Sequence, residues 1–83
     1  MDEVDLALEQ AQTRRRLPPP AARRRLRERA GLRQGVLARV LGVSGAAVSR
    51  WESGKRMPAR RFVSAYASLL DRLARESANG GGA

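Results

Sequence analysis

Apolar residues recur at helical spacing along most of the chain, and no stretch alternates as a strand would. Val4, Leu8 and Ala11 stand at i, i+4 and i+7 within residues 3–16, with acids early and basic residues late, as a helix dipole favours. That stripe is thin, so this helix depends on packing for stability. "LPPP" at Leu17 to Pro20 interrupts it, because proline has no N–H to donate and pushes the residue before it toward extended geometry. Proline also suits a first turn, which predicts a second helix from about Pro20 to Ala30. On it Ala22, Leu26 and Ala30 share one side, and Arg23, Arg24 and Arg25 cover the rest. Gly31 fits a left-handed cap, with Leu32 folding back onto the core. A third helix is predicted over Gln34 to Leu41, burying Leu37, Ala38 and Leu41. A fourth starts after Ser44, whose hydroxyl can accept from an unpaired backbone N–H, and buries Val48 and Trp51 before Gly54 ends it. Pro58 opens a final helical region, one long helix or two, with Phe62, Tyr66, Leu69, Leu70 and Leu73 at i, i+4, i+7, i+8 and i+11. Asn79 to Ala83, "NGGGA", has nothing to bury. The expected fold is all-α: an N-terminal helix or arm over 1–17, a bundle of four to five helices over 18–76, and a flexible tail over 77–83.

Within "LARVLGVSGAAVSRWESG", Leu37 to Gly54, the smallest side chains sit in the middle of the most regular stretch. Gly42 lies between two short amphipathic helices, where the chain must turn sharply, and glycine reaches positive φ without a Cβ penalty. Ala38 is small enough for the helices to cross closely, and Val43 and Val48 lock the second onto the first. This is the physical recipe of a helix-turn-helix. Gly45, Ala46 and Ala47 open the second helix. Small residues there let a backbone approach base edges in a major groove about 12 Å wide. They also have a plainer reading, as residues that merely lighten an exposed helix.

Charge changes the picture more than composition does. The 83 residues carry 17 basic and 8 acidic side chains, a net charge of +9. Between Arg14 and Arg61 there are 15 basic residues against Glu28 and Glu52, a local charge of +13. A basic body between more acidic ends suits a polyanion, because clustered arginine displaces counterions from phosphates. Acidic membrane surfaces, plain solubility and the arginine bias of a GC-rich genome fit the same count. Cysteine and histidine are absent, which removes disulfides, thiolate zinc sites, imidazole bases and a cysteine nucleophile. "GKR" at Gly54 to Arg56 lacks the rest of a phosphate-binding loop, and no carboxylates are paired. Neither an enzyme, a cofactor, a metal nor a small-molecule ligand is expected. No apolar run reaches the roughly 20 residues of a membrane span, and the start of the chain is not that of a signal peptide, so the expected location is cytoplasmic.

Arg24 to Pro58, "RRLRERAGLRQGVLARVLGVSGAAVSRWESGKRMP", resembles the helix-turn-helix domain of the Cro and phage-repressor (XRE) family. Its twenty-residue motif begins at Gln34, with the small residue at Ala38, the turn glycine at Gly42 and core positions at Val43, Val48 and Trp51. The resemblance implies a lambda-repressor-like bundle that binds double-stranded DNA as a transcriptional regulator, often as a homodimer on a near-palindromic site. By this resemblance Gln34 contacts phosphate and braces the recognition helix, and Ser44, Gly45, Ala46, Ser49 and Arg50 face bases or nearby phosphates. Lys55, Arg56 and Arg60 match a loop that touches the DNA backbone. Glu52 matches an acid paired inside the domain with an arginine of the first helix, here Arg27. Three departures from the family pattern stand out. Arg33 replaces the usual Ser or Thr cap, at a cost of about 1 kcal/mol. Gly35 replaces an acid, and Gly45 and Ala46 replace longer base readers, which throws readout onto Arg50, Ser44 and Ser49. DNA shape then gains weight, and Arg14, Arg15 and Arg16 are candidates for an arm in a narrow minor groove, or a solvated charge run.

Two further classes compete with this reading. An antitoxin-type module would grip a protein with its terminal helices and bind DNA only to autoregulate. A basic amphipathic peptide would lie on acidic membranes, which an ordered turn at Gly42 opposes. Leu69, Leu70 and Leu73, or the Val4 to Ala11 stripe, are candidates for a small dimer interface and equally for intramolecular core.

Overall fold

Five helices carry the fold, and no strand occurs among the described residues: α1 (Glu3–Arg15), α2 (Pro20–Arg29), α3 (Gln34–Leu41), α4 (Gly45–Ser53) and α5 (Arg60–Gly80). The structure, a computed structural model, describes residues 2–15 and 17–80, without the side chains of residues 10, 12–15 and 78–80. α4 packs on α3 and α2, while α1 and α2 pack on α5.

Each boundary has a local cause. Pro20 occupies the first turn of α2, where no N–H is needed. Gly42 ends α3 at φ 73°, ψ 33°, a left-handed conformation that lets the Val43 N–H reach back to the Ala38 carbonyl at 2.9 Å. This Schellman closure turns the chain through the short angle between α3 and α4. Ser44 then caps α4, its Oγ accepting from the Ala47 N–H at 3.1 Å. Arg33, at the cap of α3, makes no side-chain capping bond.

The core gathers Leu37 and Ala38 of α3, Val48 and Trp51 of α4, Val63, Tyr66, Ala67, Leu70 and Leu73 of α5, and Leu17 from the linker. Trp51 sits between two rings, its centroid 5.1 Å from Tyr66 and 6.1 Å from Phe62.

Several expectations are corrected. Arg23 is buried rather than part of the polar side of α2, and Ala30 is exposed. Leu41 is half-buried, because the last turn of α3 already leaves the core. The inner face of α5 runs through Val63 and Ala67, which leaves Phe62 and Leu69 at its margin. α5 is a single helix that starts at Arg60, after the buried Pro58, and continues to Gly80, into the stretch 77–83 expected to be a tail. Leu70 and Leu73, candidates for a dimer interface, lie in the core, whereas Val4, Leu6 and Leu8 of α1 are exposed.

Candidate functional site

α4 has two dissimilar faces. Val48, Trp51 and Glu52 point inward and are almost wholly enclosed, and Ala46, Ser49 and Arg50 point outward and are exposed. Gly45 is half-buried, and a Cβ built there meets nothing within 4 Å. The outer surface of the first turn is therefore low, with Ser44 at its cap and the first long side chain at Arg50.

The inner face is fastened by charge as well as by apolar packing. Arg27 of α2 grips Glu52 with both arms, Nε donating to Oε2 at 2.7 Å and Nη2 to Oε1 at 3.0 Å. A third donor, Nη1, bonds the Leu32 carbonyl at 2.8 Å. The hydrogen bond to Glu52 holds the Arg27 guanidinium above its ordinary range, against the opposing effect of burial. Gln34, half-buried at the start of α3, donates from Nε2 to Glu52 Oε1 at 3.1 Å. One carboxylate thus ties the first turns of α3 and the last turns of α2 to the end of α4. Removing a partner from such an enclosed pair leaves an uncompensated charge, at a cost of about 3–5 kcal/mol.

Beyond α4 the chain bends, and the N–H groups of Lys55 and Arg56 both return to the Arg50 carbonyl, at 3.0 and 3.3 Å. Lys55, Arg56 and Arg60 are exposed. Arg56 shares with Arg50 the edge of a hollow of about 400 Å³, floored by Val43, Trp51, Met57 and Phe62. Arg50, Lys55, Arg56 and Arg60 make no ion pair among the described residues, so their charge is open to an external anion. Arg14 and Arg15 end α1, but their side chains, and all of Arg16, lie outside the described residues.

Two residues escaped the reading of the sequence. Arg23 is buried and donates from Nη1 to the Trp51 carbonyl at 3.1 Å. Its signal was its position four residues before Arg27, on the same helix face. Met57 is exposed beside the Arg56 hollow, and no periodicity marks it because it lies between helices.

Among the described residues, no group of acids could hold a metal ion, and no helix is long and apolar enough to cross a membrane. A family model described as a helix-turn-helix domain matches residues 24–78. No curated protein and no solved structure matches the chain.

Proposed function

Because the chain belongs to the helix-turn-helix domain family, typical of Cro-like and phage-repressor-like regulators, we propose that it is a sequence-specific transcriptional regulator that lays α4 in the major groove of an operator. The observation that carries this reading is the division of α4: an inner face held by Val48, Trp51 and Glu52, and an outer face of small and polar residues ending in an unpaired arginine. A low first turn admits the backbone to the groove, and Arg50 is then the residue long enough to reach a guanine with two hydrogen bonds. Ser44 and Ser49 add shorter polar contacts, and Ala46 suits a thymine methyl. Lys55, Arg56 and Arg60 meet phosphates, as does Gln34 through the second hydrogen of its Nε2, which the bond to Glu52 leaves free. These contacts position the protein without reading sequence.

The mechanism is occupancy: a bound regulator excludes polymerase or a competitor in the bacterial cytoplasm, or in the host cytoplasm if the chain is phage-encoded. A homodimer would place two copies of α4 about 34 Å apart on a near-palindromic site. The test begins with selection of bound fragments from random duplex DNA. Arg50→Ala is expected to bind the selected site about 10- to 100-fold more weakly and to lose discrimination at one guanine. Equal affinity and equal selectivity in gel shifts would remove Arg50 from the interface.

The exposed Val4, Leu6 and Leu8 favour a second reading, in which α1 holds a protein partner and DNA binding autoregulates the pair, as in an antitoxin. Co-purification of a small partner that is lost in a Val4→Glu, Leu8→Glu double variant would support it.

A further inference from the structure

Arg23 is only 5% exposed and has no carboxylate partner among the described residues. Its Nη1 donates to the Trp51 carbonyl at 3.1 Å and its Nε to the Pro18 carbonyl at 2.7 Å. The guanidinium carbon lies 6.0 Å from the centre of the Tyr66 ring. Trp51 belongs to the last turn of α4, where carbonyls lack intrahelical donors. The backbone N–H groups of Lys55 and Arg56, which follow α4, return to Arg50 instead. Arg23 supplies what that turn is missing, with a positive charge at the carbonyl end of the helix dipole.

Stability alone does not require this arrangement. Burying a guanidinium without an acid is costly, and an unbranched apolar side chain would fill much of the same space more cheaply. What a guanidinium adds is direction: a rigid fork holding two carbonyls at fixed angles. One belongs to α4 and the other to the linker at residues 17–19. Arg27, one turn further along α2, grips the residue after Trp51. Two arginines of one helix therefore hold consecutive residues of α4, one through a side chain and the other through the backbone. Ser49 and Arg50 lie directly before this clamp, so a tilt of α4 would carry both across the groove.

We propose that Arg23 is a positioning residue that sets the tilt of α4 for base readout, an inference that rests on the DNA-binding reading above. The test compares full-length wild type, Arg23→Met and Arg23→Lys by two measurements. Residual dipolar couplings of the α4 amides, relative to those of α2 and α5, report helix orientation without DNA. Anisotropy titrations give affinity for the selected operator and for unrelated duplex. Arg23→Met is expected to fold, with a melting temperature equal to or above that of wild type, while its α4 couplings depart from the wild-type orientation. Its operator affinity falls roughly tenfold, the worth of one charge-assisted hydrogen bond, and its binding to unrelated duplex is unchanged. Arg23→Lys does not rescue, because one ammonium cannot reproduce the fork. If Arg23→Met does not fold, Arg23→Gln carries the same two measurements.

Wild-type couplings together with wild-type operator affinity in the folded Met or Gln variant would overturn the proposal. Should wild type itself prefer no sequence, the functional reading fails, and the couplings alone decide the role of Arg23.

Discussion

Tyr66 shows how much of a side chain's behaviour comes from its surroundings. Its ring is fully enclosed between α2, α4 and α5, and no group among the described residues bonds its hydroxyl. Burial pushes the phenol up to about 12 from 10.0, outweighing the pull of the nearby Arg23 in the other direction. The folded chain thus keeps a proton that the unfolded chain releases above pH 10. Stability from this group is complete below the unfolded value and is lost as pH rises toward 12. Tyr66→Phe should remove that alkaline loss while changing stability at neutral pH by no more than about 1 kcal/mol, since it gives up no hydrogen bond. Urea denaturation followed by Trp51 fluorescence at neutral and alkaline pH checks both expectations. Residue-scale chemistry of this kind was poorly legible in the sequence. Twenty-five residues separate Arg27 from Glu52, and 28 separate Arg23 from Trp51, and no spacing rule links either pair: the family resemblance supplied the first, and nothing in the sequence supplied the second. An arginine in an arginine-rich helix reads as surface until the partner across the fold is known.

Elements were easier to read, because their signals are local. α3 and α4 begin and end where glycine, serine and periodicity place them, since the left-handed turn at Gly42 and the cap at Ser44 involve only neighbouring residues. The inner face of α5 was harder. Apolar residues lie at 62, 63, 65, 66, 67, 69, 70 and 73, enough to define overlapping stripes, and only burial in the assembled bundle selects the one through Val63 and Ala67. α1 is a limiting case: its apolar residues do not converge on one face, and Val4, Leu6 and Leu8 remain outside. The weakest start belongs to α3, where Arg33 provides no cap and Gly35 adds backbone freedom with open space around it. Arg33→Ser should stabilise the fold by about 1 kcal/mol through a side-chain cap. Gly35→Ala should add roughly 0.5–1 kcal/mol by lowering the entropy of the unfolded chain. Both are measured as shifts in the urea midpoint at unchanged slope, and together they should approach additivity only if the cap and the first turn act independently.

At the scale of the whole molecule, charge and fold are arranged for opposite purposes. Glu52, the one acid between Arg29 and Arg61, is turned inward to hold the bundle together. Arg50, Lys55, Arg56 and Arg60 are left outside without internal partners. The helix-turn-helix family was visible at this scale because its motif is a contiguous run of short-range constraints, and the match over residues 24–78 covers the same run. The hold of Arg23 on the end of α4 was not, because its two carbonyl partners come from separate parts of the fold. The three aromatic side chains are Trp51, Phe62 and Tyr66, and Trp51 packs at a tilt against the other two, inside the bundle or at its edge. Even Phe62, the least enclosed, lies beneath the Arg61 guanidinium, 4.9 Å from its ring centre. An unpaired polynucleotide gains about 1–3 kcal/mol for each base that finds an aromatic platform. This protein has no exposed aromatic ring: Trp51 and Tyr66 are buried, and the half-buried Phe62 is covered on one face by Arg61. In competition titrations at matched salt, a single strand should therefore displace the paired form poorly, even at equal phosphate concentration, and bases melted out of a helix should find no surface that keeps them apart.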